Sequence, residues 1–284
     1  NKNLLMKNSM KTNFIALVLI IVFNNYSIAQ THRFIYDVVY KKDSTSNITT
    51  KENYILDIGT KETKYYTYDF FVADSLITNN IPFPKEMKLN TSDIIVHKNN
   101  NNEFFQYDLL ENTVLQLQTN DTQKWNLSQE KKNVKNLSLQ KAITTWGGRN
   151  WTAWFAEEIP FQEGPYKFHG LPGLIVEIYD DKKNYHFELV RSEKIKEEEN
   201  QFIEMSEKMG IPITWEKYKT AKIKYYESPV NFIKNSAENS EQLYLNDGTI
   251  VNSKNSKEID EQLRNSIRKY NNPIELDKVI AYPK

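Results

Sequence analysis

Leu171-Pro172-Gly173-Leu174-Ile175-Val176-Glu177-Ile178-Tyr179, with Asp180-Asp181-Lys182-Lys183-Asn184 and Tyr185-His186-Phe187-Glu188-Leu189-Val190 behind it, is the stretch whose reading decides the fold. Proline at the second position of Leu171–Leu174 sets φ near −65°, and glycine at the third supplies the positive φ of a type II turn. The corner launches the mostly apolar run 174–179. The polar run 180–184 turns the chain back into 185–190. Apolar residues on both faces of the first strand predict a hairpin at the centre of a sheet, covered on both sides. Gly173→Ala is then expected to destabilise by about 1 kcal/mol or more, through strain at positive φ.

Working outward, the residues before this hairpin read as short antiparallel strands. Phe34, Tyr36, Val38 and Tyr40 share one face at period two, and strands follow over 53–58 and 64–68. Residues 70–76 fit either helix or strand, and 79–90, with Pro82 and Pro84, reads as a loop. Strands are expected over 94–97, 103–107 and 114–117, with a further pair near 123–127 and 137–143. After the hairpin the pattern turns helical: 197–209, ended by Gly210 and Pro212; 215–226, stopped by Pro229; and 256–270, with Ile259, Leu263 and Ile267 four apart. Leu243–Val251 reads as a hairpin with an Asn246-Asp247-Gly248 tip. The expected fold is a β-rich α+β one: a large curved antiparallel sheet, an open barrel or bowl, with two to three C-terminal helices packed on it.

The 284 residues include 37 basic and 37 acidic side chains and no cysteine. That excludes disulfides, thiolate metal sites and a cysteine nucleophile. Met10-Lys11 opens a basic segment, Phe14–Phe23 is an apolar run, and Ser27-Ile28-Ala29 is a small-residue box. This is the pattern of a secretory signal peptide, too short to span a bilayer. The expectation is therefore a signal segment over 1–29, cleavage after Ala29, a single domain over 30–284, and export to the periplasm or cell exterior. Loss of Lys2, Lys7 and Lys11 leaves 34 basic against 37 acidic groups, a net charge of −3. Such a balance offers no electrostatic footing for nucleic acid. Lys and Glu spread through every strand, so no outward apolar band of a membrane barrel is visible, and the mature chain is expected to have no transmembrane segment.

Five of the eight glycines and three of the five tryptophans fall between Trp146 and Gly173. Trp151-Thr152-Ala153-Trp154-Phe155, Glu158-Ile159-Pro160, Gly164-Pro165, Lys167-Phe168 and the hexapeptide Gly170-Leu171-Pro172-Gly173-Leu174-Ile175 occur in order, and Asn272-Pro273-Ile274-Glu275-Leu276 lies near the end. These residues resemble the GLPGLI proteins, a family of unknown function found largely in Bacteroidetes. The resemblance implies an exported protein in which Gly164, Pro165, Gly170, Leu171, Pro172, Gly173, Leu174 and Ile175 form the structural motif. It implies no catalytic residues. Tyr166 departs from the family, where tryptophan is commoner.

The candidate chemistry is thin. His169 and His186 flank the hairpin without metal-ligand spacing, so neither a metal nor a cofactor is expected. No serine is flanked by glycines, and Glu157-Glu158 point to opposite faces of a strand. Arg149, among Trp146, Trp151 and two glycines, reads either as a structural partner of Glu157, Glu158 or Glu177, or as a receptor for a carboxylate, phosphate or carbonyl. Arg149, Trp146, Trp151, Trp154 and His169 are the candidate ligand or partner contacts. Two functions follow. One is a non-enzymatic envelope protein that binds an apolar molecule, a lipid or a protein partner, and predicts an aromatic pocket without convergent titratable groups. The other is a secreted hydrolase or glycan-active enzyme, and predicts a polar cleft.

Overall fold

The computed structural model describes residues 30–82, 84, 94–99, 101–111, 113–196, 201–236, 243–244 and 249–283. The expected signal segment 1–29, most of the loop to residue 90, the opening of the 197–209 helix and the Asn-Asp-Gly tip lie outside them. Twelve strands form one sheet: β1 (Gln30–Tyr40), β2 (Thr50–Ile58), β3 (Glu62–Thr67), β4 (Ile94–Lys98), β5 (Glu103–Leu110), β6 (Thr113–Asn120), β7 (Asn126–Val134), β8 (Leu137–Trp146), β9 (Arg149–Ala156), β10 (Leu174–Asp180), β11 (Tyr185–Lys196) and β12 (Ile211–Pro212). Their order is β12-β6-β5-β4-β3-β2-β1-β11-β10-β9-β8-β7. Strand β1 joins the two meanders, antiparallel to β2 on one side and to β11 on the other. The ends of the order carry β12 and β7, so the sheet stays open and no barrel closes. Two-residue strands β13 (Leu243–Tyr244) and β14 (Ile250–Val251) pair separately.

The hairpin of β10 and β11 sits in the interior of this order, and β10 is buried on both faces, as the apolar run requires. Its entry differs from a type II turn. Gly173 has φ +157°, its N–H donates to the Leu171 carbonyl at 2.8 Å, and the Leu174 N–H donates to Ile159. A Cβ built on Gly173 would lie 2.2 Å from the Ala156 oxygen. The glycine is there because two backbone segments touch, which Pro-Gly turn statistics do not anticipate. Register shifts at Ile35/Tyr36 and Ile175/Glu177 mark bulges, and the Tyr36 hydroxyl donates to the Ile175 carbonyl at 2.7 Å, between the two.

Alternation sorts the strand residues into two faces. On the inner face, Phe34, Tyr36, Leu56, Phe104, Trp151, Phe155, Ile178 and Phe187 form the main core, closed over by Phe168 and Leu171 from the segment between β9 and β10. On the outer face, Ile55, Tyr66 and Val96 bury Phe70 of α1 (Tyr68–Thr78) and Ile203 of α2 (Gln201–Met209). The ambiguous 70–76 segment is thus helical because Phe70 and Ala73 find an apolar sheet face to cover. Helices α3 (Trp215–Glu227), α4 (Pro229–Ser236) and α5 (Ser256–Lys269) follow. Thr214 caps α3 by accepting from the Lys217 N–H. Pro229 does more than stop α3: it begins α4, where its missing N–H costs nothing. Val230, Val251 and Ile259 form a small core for this helical cluster. No helix among the described residues is long and apolar enough to cross a membrane.

Candidate functional site

Arg149 is fully enclosed, and its partners are not the glutamates expected of it. Nη1 lies 3.2 Å from Asp180, Nε donates to the Ile274 carbonyl at 2.8 Å, and Nη2 donates to Asn272 Oδ1 and the Pro273 carbonyl, each at 2.7 Å. Asp180 closes the hairpin by accepting from the Tyr185 N–H at 2.7 Å. Glu157 and Glu158 are exposed in the turn after β9, and Glu177 is taken by Lys132 and His186. Arg149 does receive carbonyls, but they belong to the chain's own C-terminal segment. That strap, residues 270–283, crosses the inner face. Its Leu276 N–H donates to Gly147, in a Gly147-Gly148 turn with both residues at positive φ, the type I′ geometry of a two-residue hairpin.

Glu275 is the strap's second anchor. Its carboxylate receives the Tyr166 hydroxyl at 2.7 Å and the Lys167 ammonium at 2.8 Å, and pairs with Lys278. Burial alone would raise the Glu275 pKa, but Lys167 and Lys278 hold it below the ordinary carboxylate value. Tyr166 adopts φ +59°, in the left-handed region that a bulky residue rarely occupies. Its hydrogen bond to the strap and its packing against Tyr65, Trp146 and Phe168 hold it there.

The other candidates fall in separate places. Trp151 is buried beneath Phe168 and donates to the Trp146 carbonyl. Trp146 packs on Tyr166 and Phe168. Trp154 faces the outer side under the Lys132 ammonium, 4.3 Å from the ring centre. His169 lies 5.0 Å from His97, with Nε2 near Asn102 and Nδ1 near the Lys167 carbonyl. His186 pairs with Glu177 instead of meeting His169. Gly164, Pro165, Leu171, Leu174 and Ile175 are buried around the corner that Gly170, Pro172 and Gly173 turn. None of these side chains lines the cleft on the inner face, and no group of three metal-binding side chains occurs among the described residues.

That cleft, about 380 Å³, opens between the inner face, α3 and the strap. Its floor is tyrosine. Tyr40 stacks on Tyr185 and Tyr54 on Tyr65, with interplanar angles of 6° and 8°. The wall carries Gln106, Asn271, Asn272 and Lys222. Asp108 is the convergent acid: its Oδ2 accepts from the Tyr218 hydroxyl at 2.5 Å and from Lys222 Nζ at 3.1 Å, and its side chain keeps 16% of its surface exposed. An adjoining chamber of about 240 Å³ shares Gln106, Tyr166, Tyr218, Lys222, Asn271 and Pro273 with it. Sequence reasoning missed Asp108, although a signal exists: along β5 the inward positions change from Phe104 to Gln106 and Asp108. Polar residues at core-facing positions mark a place the core leaves open.

Comparison with known proteins corrects one expectation. The family model that matches is "Protein of unknown function (Porph_ging)", over residues 100–177. The GLPGLI assignment does not stand beside it; the hexapeptide inside that span is accounted for by a corner that packs on Ala156. No curated protein matches. One solved structure shares the fold, PNGF-II in space group P21, at 16% identity and TM-score 0.50 over 79% of this chain; PNGF-II in space group C2 is similar at 15% identity and TM-score 0.49 over 76%. The chain spans only 38% and 35% of the length of those structures. The pocket without convergent titratable groups expected of a non-enzymatic binder is also corrected, because Asp108, Tyr218 and Lys222 converge at the wall of this cleft.

Proposed function

We propose that this protein is a glycan-active hydrolase working in the tyrosine-floored cleft, with Asp108 as its general base. One observation carries the reading: a part-exposed carboxylate fixed by a hydroxyl and an ammonium at the wall of a cleft paved with stacked tyrosines. Tyrosine faces suit the apolar sides of sugar rings, and Gln106, Asn271 and Asn272 supply amide donors and acceptors for hydroxyl groups. The likeness to PNGF-II in space group P21 adds an analogy of fold.

The residues favour cleavage at a carbonyl over the two-carboxylate route to a glycosidic bond. That route needs a second acid free to give or take a proton. Glu275, at the adjoining chamber, is saturated by Tyr166, Lys167 and Lys278. With Asp108 alone, the carboxylate takes a proton from water as the water oxygen bonds to an amide carbon. The C–N bond then breaks, and the proton passes to the departing nitrogen. Lys222 orients the Asp108 carboxylate and puts a positive charge beside the developing oxyanion. Export, as read from residues 10–29, belongs to the same proposal: the enzyme meets its glycans outside the cytoplasm.

Asp108→Asn keeps the shape and removes the base. Glycan release from a glycopeptide pool, followed by mass spectrometry, is expected to slow by about 10²-fold or more while the melting temperature changes little. A wild-type rate in Asp108→Asn would reject the assignment of Asp108.

A further inference from the structure

The two chambers that meet at Tyr218 and Lys222 differ in lining. The first carries the stacked tyrosines with Asn271, Asn272 and Asp108. Beyond the shared residues, the second is walled mainly by Leu117, Ile213, Trp215, Ile280 and Tyr282, with Gln118, Thr119, Thr214 and the paired Glu275 and Lys278. Trp215 stacks on Tyr218 at 5.4 Å and 26°, so one aromatic surface continues around the corner from one chamber into the other. Leu117 and Ile280 are buried behind it.

We infer that the second chamber receives an apolar aglycone: the substrate is a glycoconjugate whose saccharide lies on the tyrosines and whose apolar carrier group enters between Trp215, Ile280 and Tyr282. This rests on the glycan-active reading of the cleft and adds the class of group attached to the sugar. The joining bond then lies at the shared wall, beside Lys222 and the carboxylate it holds. Charges at the second chamber are already occupied. Lys278 is paired with Glu275, and Lys222 with Asp108. Burial, helped by the negative charge of Asp108, pushes the Tyr282 hydroxyl up to about 12, so that ring stays neutral at working pH. A chamber that offers aromatic and aliphatic surface without a spare charge gains most from displacing water with carbon.

Calorimetric titration with methyl and octyl β-N-acetylglucosaminide tests this without turnover, since both are O-linked and present no amide linkage between sugar and carrier. The octyl compound is expected to bind the wild-type protein about tenfold more tightly or better, because burying two or three methylenes suffices for that ratio. Trp215→Ala should bring the two affinities together while leaving the methyl compound's affinity within about twofold, the ratio reporting aglycone contact only. Tyr282→Ala, on the opposite wall, should narrow the ratio in the same way. Equal affinity for the two compounds in wild type overturns the inference and leaves the saccharide reading standing. Binding of neither overturns both. An octyl preference that survives both substitutions places the alkyl chain elsewhere and overturns the inference.

Discussion

At Gly173 there is no room for a methyl group: a Cβ would stand 2.2 Å from the Ala156 oxygen and 2.8 Å from the Glu157 Cα. Both are backbone atoms of the preceding hairpin and neither can swing away. Gly173→Ala is therefore expected to cost about 3 kcal/mol, at the upper end for overpacking and well above a simple turn penalty. Urea denaturation midpoints measure it; a loss under about 0.5 kcal/mol would show that the contact relaxes freely. The sequence pointed to this glycine for the wrong reason, because a close approach between segments far apart in the chain leaves no trace in local turn chemistry. His97 carries a second residue-scale prediction. Burial lowers its pKa, but the hydrogen bond and charge of Glu163, 2.9 Å away, and the Asn101 carbonyl outweigh it, so the folded value is raised. A raised histidine pKa stabilises the fold fully below the unfolded value of about 6.5, and that contribution is lost as pH rises through the folded value. Melting temperature should fall across this upper window, and His97→Gln should flatten the fall. An unchanged slope in the variant would assign the effect to another group.

At the scale of elements, the strap over residues 270–283 is held by polar bonds in a buried setting. Arg149 reads its carbonyls, Lys167 and Tyr166 hold Glu275, and the Tyr185 hydroxyl donates to the Asn272 carbonyl at 2.6 Å. Removing one partner leaves an uncompensated buried charge. Arg149→Met strands Asp180 and should cost about 3 kcal/mol or more. Amide exchange over 271–280 should then speed up far more than exchange in β10. Equal acceleration in both would mean the strap has no independent tie to Arg149. Strands β1 to β6 and β8, the central hairpin and the α3 and α5 helices were legible, since period-two and period-four apolar patterns declare themselves within a few residues; β9 and most of β7, whose Asn126–Val134 is largely polar, were not. The strap was not. Asn272-Pro273-Ile274-Glu275-Leu276 has no periodicity, and the partners that fix it to the sheet lie 87 or more residues away.

At the scale of the whole molecule, an open sheet packs its inner face against the segment joining β9 to β10 and leaves a cleft between that face, α3 and the strap. The pieces of the cleft come from β1, β2, β3, β5, β11, α3, Tyr166 in the segment between β9 and β10, and the last fifteen residues, so no short motif announces it. The tryptophan- and glycine-rich stretch that drew attention in the sequence builds the scaffold behind the cleft and lends it Tyr166; an aromatic pocket was expected, but which tyrosines line it was not legible. If the cleft is where glycans are processed, Tyr65→Ala should raise KM with little change in kcat, because it removes contact made equally in the ground and transition states. A steady-state rate series checks this, and a loss confined to kcat would instead place Tyr65 at the reacting bond.

The most direct test is hydrolysis in ¹⁸O-labelled water. Wild-type protein incubated with N-linked glycopeptides should yield deglycosylated peptide carrying one ¹⁸O in the new carboxyl group, and Asp108→Asn should yield almost none. Glycopeptide recovered intact from the wild-type reaction would contradict the proposal that this cleft is an active site.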